Sequence, residues 1–417
     1  MKLGTLSKLG LCLLLSACAQ APSKNKALSP STNMLATNAS FQGLPVQATE
    51  EAFDRWKKTY RELSSPKAAA IALDTEGKWV IGSSSVAPGT LPAAGAALAD
   101  CEQKKNHQNI NAPCELVRVN DHEFELGRAL AKRLDLGDVS QPTFVWRLQK
   151  NNAVIYIGGS FHLFKQGFYP LPAAYNKAFD ESSLLVLEVN PAATSPQELL
   201  SLQKQYLFLP DGKTLDQILP EPLLANAKRE LNILGIEWRQ VQKFTPAGFA
   251  LNVISALYMA QGFLPQQGID AHYANLAMQQ SKEIGELETL EFQLQLLADM
   301  PFDLQTLQAT DVFNETQAID IVGKMVDAWH TADDKSLAAL MNESSSVSPA
   351  MKAWNRRLLD ERNIGMANKI AELLKTEDQT IFVLVGAGHL TGSGNVIELL
   401  LDHGIIASQL RRDGNPL

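Results

Sequence analysis

Residues 153–162 read AVIYIGGSFH: an apolar run rich in β-branched and aromatic side chains, then two glycines, then a histidine. Such a run is a buried strand, and glycine at its end permits a positive φ or a close backbone approach, so the chain turns sharply there. Far downstream, residues 381–389 repeat the form as IFVLVGAGH. Each segment ends in Gly-x-x-His, running from Gly159 to His162 and from Gly386 to His389. Around these two lie further strand-like runs: TFVWRL (143–148), LLVLEV (184–189), EIGELET (283–289) and GIIASQL (404–410). Long helical stretches separate them, with start signals at Ser195-Pro196-Gln197-Glu198, Thr245-Pro246 and Ser348-Pro349. Strands alternating with helices predict an α/β fold, a mixed β-sheet flanked by helices. A histidine just past a strand end then sits at the carboxyl edge of the sheet, where open α/β sheets keep their ligand crevice.

The whole chain has 417 residues, 45% hydrophobic and 20% charged, with a formal net charge of -8. That composition excludes global disorder and collagen-like repeats, and the length suits two or three domains of about 100–200 residues each. The acidic balance argues against nucleic acid as a partner, because phosphate binding needs clustered Lys and Arg. No run of 18 apolar residues is present, so no bilayer-spanning helix is expected. No internal repeat is evident.

The first eighteen residues have a basic start (Lys2, Lys8), a short apolar core (Leu9 to Leu15) and the ending Leu15-Ser16-Ala17-Cys18. This looks like a bacterial lipoprotein signal, although an ordinary secretory leader has a similar ending. The resemblance implies a protein held on the lipid bilayer by acylated Cys18, facing the periplasm, and sorted to the outer membrane because Ala19 follows the cysteine. Several acyl chains on one cysteine make a firm anchor, at about 0.8 kcal/mol per buried methylene. Residues 19–50, rich in Ala, Ser, Pro, Asn and Gln, read as a flexible tether. Cys12 is lost with the leader, which leaves Cys101 and Cys114 in an oxidising compartment, where a disulfide is the default and a reactive thiol the alternative. Residues 51–130 read as a small α+β accessory domain stapled by that bridge. Its helix begins at EEAFDRWKKTYREL, and its strands are AAAIAL and KWVIGSS around a Thr75-Glu76-Gly77 turn, then ELVRVND. A short helix runs into Cys101, and Trp56, Tyr60 and Trp79 are its expected core.

Chemistry concentrates at the strand ends. Glu188 follows four apolar residues in LLVLEV, where a carboxylate can face the same crevice as His162 and His389. Two histidines and one carboxylate form a recurrent metal set, and a bound ion lowers the pKa of its water. The same pair also suits a general base and its partner, and a lone strand-end histidine is often structural. Gly386-Ala387-Gly388 with Gly392 does not have the dinucleotide-binding spacing, and no Gly-x-Ser-x-Gly elbow occurs. His272 and His330 read as surface or packing residues, and Met259, Met278, Met300 and Met325 as core fillers.

The segments GGSFHLF, YPLPAAYNKAFDESSLLVLEVN, GIDAHYANLA with GELETLEFQ, RNIGMANKIAELL and FVLVGAGHLTGSGNVIELLLDHG resemble the TraB/GumN family. That family lies within the broader TIKI, PrgY and erythromycin-esterase-like group. The similarity runs colinearly over residues 140–417 and leaves out the tether and the cysteine domain. It implies a site built from His162, His389 and Glu188, and a metallopeptidase type of hydrolase acting with a divalent ion such as Mn, Co or Zn on a peptide or small ester. Relatives that are metal-free esterases or haem-binding lipoproteins imply metal-independent hydrolysis, or haem, metal or peptide capture without turnover, as the alternatives. Ser160 stands where many relatives carry Thr. Arg362 and Asn363 match the family's Arg-Asn pair; Arg362 would clamp a carboxylate or stabilise an oxyanion, with a helix-surface ion pair as the alternative. Glu288 is a further candidate carboxylate, or a helix N-terminal partner. Asp270 reads as a helix cap, with a site role as the alternative.

Overall fold

A computed structural model describes residues 49–74, 78–112, 114–123, 139–150, 152–165, 168–260, 263–312, 324–342, 348–375 and 379–417. The leader, Cys18, the tether and the Thr75-Glu76-Gly77 turn lie outside the described residues. Contacts divide the rest into two units. One holds residues 49–123 with Asn232–Ile236, and the other holds the remaining residues from 139 to 417.

In the smaller unit, Ala68–Leu73 (β1), Trp79–Ser84 (β2), Glu115–Val119 (β3) and His122–Glu123 (β4) form an antiparallel sheet in the order β2-β1-β3-β4. Trp56 and Tyr60 from the helix Thr49–Glu62 are buried against Ala69, Ile71 and Val117, and the half-buried Trp79 packs beside them. The helix Thr90–Gln108 presents Ala93, Ala94, Ala97 and Cys101, all fully buried. A Cβ on Gly82 would collide with the main chain of Ala97 and Cys101, so helix and sheet touch here because both surfaces are nearly side-chain-free. Cys101 and Cys114 form the expected disulfide, closing a loop with a sequence separation of 13. Thiol titration of the unfolded oxidised protein should find neither of these two sulfhydryls. The Cys101→Ala/Cys114→Ala variant should lose about 3 kcal/mol from this unit's urea unfolding free energy, the chain-entropy value for a loop of that size.

In the larger unit, Pro142–Lys150 (β5), Ala153–Ser160 (β6), Leu184–Leu187 (β7), Glu283–Glu286 (β8), Thr380–Gly386 (β9) and Ala407–Arg411 (β10) form one mixed sheet in the order β10-β5-β6-β9-β7-β8. All six runs singled out in the sequence are strands. β6, β9, β7 and β8 are parallel neighbours, while β5 and β10 run antiparallel at one edge. Helix Ala173–Glu181 links β6 to β7, and β9 enters between them from the end of the chain. The order of travel therefore reverses beside β9, the place where a doubly wound sheet opens a crevice at its carboxyl edge. The inner strands are buried along their length because helices cover both faces, among them Ala173–Glu181, Ile269–Gln279 and Glu361–Leu373.

The helix starts follow the local chemistry. Ser195 Oγ accepts the Glu198 N–H at 3.2 Å, Thr245 Oγ1 the Gly248 N–H at 3.0 Å and Ser348 Oγ the Met351 N–H at 3.1 Å. Helix Pro349–Asn355 widens into a π-turn, Arg356–Asp360, before Glu361–Leu373. Met300 and Met325 are core residues, but Met259 and Met278 are 41% and 53% exposed. Apolar character misleads for the latter pair because their helices carry methionine on solvent-facing turns. His272 packs on Tyr169 and Tyr273, and His330 bonds Arg412, in keeping with their reading as packing residues. No helix among the described residues is long and apolar enough to cross a membrane.

Candidate functional site

Four adjacent parallel strands each deliver a polar residue within three positions of their carboxyl ends. β6 ends at Ser160 and leads to His162, β9 ends at Gly386 and leads to His389, β7 is followed by Glu188, and β8 by Glu288. Register explains the convergence. Ser160 pairs with Gly386 and Leu187 with Leu384, so the strand ends are level. Gly158 and Gly159 work by close approach and not by left-handed turns. A Cβ on Gly159 would come within 3.0 Å of Phe144 Cβ and 3.3 Å of Ala387, and one on Gly158 within 2.9 Å of the Leu384 side chain. The Gly159 carbonyl accepts from Tyr175 Oη at 2.6 Å and from Trp329 Nε1 at 3.0 Å, which pins the end of β6. Burial pushes the Tyr175 phenol well above its ordinary pKa, so it serves as a permanent donor.

His162 is buried, and its Nδ1 lies 2.7 Å from Asp270 Oδ2. Asp270 is not the helix cap. Gly268 occupies the N-cap of Ile269–Gln279, and Asp270 points its carboxylate at the imidazole instead. Gly268 is required because a Cβ there would strike the His162 carbonyl, while Ile269 N–H donates to Phe161 O at 3.0 Å. The Gly268→Ala variant should therefore lose roughly 1–3 kcal/mol by overpacking, read from urea melts, and displace the His162 ring from Asp270. Burial works against a charge on His162, but the Asp270 carboxylate, helped by Glu188, holds the imidazole up to about 9.

His389 is fully buried in the turn Ala387–Leu390 and has a different partner. Its Nδ1 lies 2.6 Å from Asn363 Oδ1, and Asn363 Nδ2 donates to Gly394 O at 2.9 Å. That second bond fixes the carboxamide orientation, so Asn363 presents oxygen to His389 and the proton resides on Nδ1. Burial pushes His389 down to about 3, with Arg362 and His162 adding to the effect and Glu188 opposing it. The ring is neutral with a lone pair on Nε2. His162 Nε2 and His389 Nε2 are both buried without a hydrogen-bond partner among the described residues, as is Ser160 Oγ.

Between the histidines lies a charged lattice. Arg362 is 3% exposed and not a surface ion pair. Its Nη2 reaches Glu188 Oε2 at 2.8 Å and Glu288 Oε2 at 2.7 Å, its Nε reaches Glu288 Oε1 at 2.9 Å, and Nη1 donates to Leu358 O at 3.3 Å. Glu188 Oε1 accepts the Gly386 N–H and stands 3.7 Å from His389 Nε2. Burial opposes the charge on Glu188, yet the surrounding His389, Arg362 and His162 side chains and the Gly386 N–H hold its carboxyl down at about 2. Gln293, unremarked in the sequence, donates Nε2 to Glu188 Oε2 at 3.3 Å and to Glu288 Oε2 at 3.0 Å. A signal for it exists. Leu290, Gln293, Leu294 and Leu297 make one helical stripe, and a glutamine within an apolar stripe requires a buried partner.

All five expected site residues, His162, Glu188, Glu288, Arg362 and His389, thus meet at one sheet edge. The two imidazoles suit a metal by chemistry, since each has Nδ1 anchored and Nε2 open, the arrangement that fixes ligand tautomers in metal sites. Glu188 does not complete a cage with them. Both its oxygens already accept hydrogen bonds, and among the described residues no three His, Cys, Asp or Glu side chains converge to hold an ion.

Among known proteins, the chain is 22% identical to Metalloprotease TIKI1 of Danio rerio over 70% of its own length and 68% of the relative's. It is 23% identical to the uncharacterized protein YbaP of Escherichia coli over 60% of its length and 88% of that protein's. With Metalloprotease TIKI2 of Xenopus tropicalis it shares 22% identity over 63% of its length and 58% of the relative's. No solved structure matches it. The family model described as TraB/PrgY/gumN matches residues 144–409, the span that contains every strand of the six-stranded sheet's inner core and every site residue above. The chain belongs to the TraB/PrgY/gumN family.

Proposed function

We propose that the chain is a hydrolase that cleaves peptide substrates at the edge formed by β6, β9, β7 and β8. The observation that carries this reading is the pair of buried imidazoles whose Nδ1 atoms are anchored and whose Nε2 atoms have no partner. His162 and His389 would hold a divalent ion through those nitrogens. A bound ion supplies Lewis acidity and a water that ionises near neutral pH. Asp270 and Asn363 hold the two rings in place, Arg362 and Gln293 keep Glu188 charged and oriented, and the buried Ser160 hydroxyl remains available to a substrate or water. The similarity to two metalloproteases supports the class of reaction.

The unequal anchors favour a second reading, metal-independent acid–base hydrolysis, because a carboxylate-bound His162 and an amide-bound His389 differ sharply in proton affinity. Metal content by mass spectrometry, with peptide hydrolysis before and after chelation, separates the two. Metal lost together with activity in the His162→Ala/His389→Ala variant supports the metallopeptidase. Activity that survives chelation but not the double substitution supports acid–base chemistry. Activity indifferent to both histidines overturns the site. We further propose anchoring of the chain at the outer membrane through lipid on Cys18, supported by the Leu15-Ser16-Ala17-Cys18 ending. Incorporation of labelled palmitate that disappears in Cys18→Ala tests it.

A further inference from the structure

A cleft of about 250 Å³ opens between the helix Leu290–Ala298 and the π-turn Arg356–Asp360, with Arg362 at its lining. Both of its walls belong to elements that also build the site. The first carries Gln293, and the second leads directly into Arg362 and Asn363. One wall of the cleft is apolar. Phe292 is 45% exposed there, an uncovered aromatic ring next to the buried Leu296. The rim is charged. Asp299 pairs with Arg357 at 2.6 Å, and Glu361 is exposed beside them. Arg362 contributes no surplus positive charge, because its fork is already taken up by Glu188 and Glu288. With Arg362 neutralised from behind, two carboxylates, Asp299 and Glu361, face one guanidinium, Arg357, around this cleft. An apolar wall below a net acidic rim matches a side chain with a long hydrocarbon stem and a cationic tip. A glutamate or aspartate would meet the excess of like charge. The π-turn adds a second pointer, since such widenings of a helix concentrate at functional sites.

We infer that this cleft is the subsite that receives a lysine or arginine side chain of the peptide substrate, with the stem along Phe292 and Leu296 and the head between Glu361 and Asp299. The inference rests on the reading of the site as a peptide hydrolase and names its substrate preference. Arg362 couples the two places physically, because the same guanidinium lines the cleft and holds the carboxylate that lies 3.7 Å from His389 Nε2.

The test is binding, which does not depend on turnover. Blocked, fluorescein-labelled hexapeptides differing only in one central Lys, Leu or Glu are titrated against the His162→Ala/His389→Ala variant, and against the chelated parent in case that variant folds poorly. Fluorescence anisotropy should give at least tenfold tighter binding for Lys than for Leu or Glu. Glu361→Lys, alone and with Asp299→Asn, should move the preference toward the Glu peptide. Phe292→Ala should weaken the Lys and Leu peptides together by severalfold. No binding of the Lys peptide, equal binding of all three, or a Lys preference untouched by Glu361→Lys overturns the inference. A Lys preference that reverses on charge reversal, in a parent that hydrolyses none of the peptides, keeps the subsite and removes the hydrolase reading, so the two fail separately.

Discussion

Arg362→Ala should destabilise the larger unit by about 3–5 kcal/mol, the cost of leaving buried carboxylates without their counter-charge. The magnitude follows from what Arg362 holds. Its guanidinium is the only full cation bonded to Glu188 and Glu288 among the described residues, and both the arginine and Glu188 are almost completely enclosed. Gln293 offers an amide donor to the same oxygens but no charge. Arg362→Lys should recover little, because an ammonium has no fixed fork to reach two carboxylates at once. Adding Glu188→Gln and Glu288→Gln to Arg362→Ala should recover most of the loss, since the charges that needed compensation are gone. The pH dependence has a definite sign. Glu188 titrates at about 2 in the fold against an ordinary value of 4.5, so its contribution is present above pH 4.5 and is lost as pH falls toward 2. Urea unfolding curves should therefore separate parent and Arg362→Ala most above pH 4.5 and draw them together on acidification. An Arg362→Ala protein as stable as its parent at pH 7 would show that the lattice carries no such charge balance.

Much of this arrangement was legible in the sequence, for a physical reason. Buried parallel strands must be nearly continuous apolar runs, so AVIYIGG, LLVLEV and IFVLVGAG announce themselves, and residues just past them fall at the carboxyl edge. His162, Glu188 and His389 could be placed together on that basis, and Glu288 and Arg362 through the family resemblance. What local pattern does not encode is the partner of each polar group. Asp270 heads the stripe Asp270, Tyr273, Ala274 and Ala277, and Asn363 heads Asn363, Met366, Ala367 and Ile370. Gln293 lies inside a third stripe. In each helix a polar residue takes a position that periodicity assigns to the core, and each turns out to hold a group at the sheet's carboxyl edge. The cap reading of Asp270 gave way for this reason. An acidic residue in a helix's first turn suits both a cap and a buried partner, and only the neighbouring strand end decides between them. The π-turn was equally hidden, because Arg356–Asp360 has ordinary helical composition.

Asp270→Asn should lower both the proton affinity and the metal affinity of His162, which makes it the sharpest probe of the site. In the metal-free protein the Asp270 carboxylate outweighs burial and keeps His162 protonated up to about 9, against an ordinary value of 6.5. A group raised in this way stabilises the fold fully below pH 6.5 and ceases to do so as pH rises through 9. The spacing between those values corresponds to about 3 kcal/mol at most. An asparagine still offers Nδ1 an acceptor oxygen but no charge, so burial then dominates and the imidazole falls below its ordinary value. The variant should therefore be least stable relative to its parent at or below pH 6.5 and converge with it near pH 9, as read from urea unfolding and from the pH titration of the His162 ring protons by NMR. A divalent ion at Nε2 would need the neutral ring, so its binding should strengthen with pH in the parent. With an ion bound, the carboxylate would fix the tautomer and raise ligand basicity, and its loss should weaken metal binding to the neutral ring 10–100-fold. At and above pH 9, where the ring is neutral in both proteins, the variant would thus hold metal less well, and its imidazole would titrate below 6.5, whereas an unfolded histidine titrates at its ordinary 6.5. Asn363→Ala on the His389 side provides the contrast. No carboxylate is removed there, so metal affinity should fall through loss of ring orientation, with no new titration near pH 9. A His162 ring that titrates identically in the parent and in Asp270→Asn would remove Asp270 from the site.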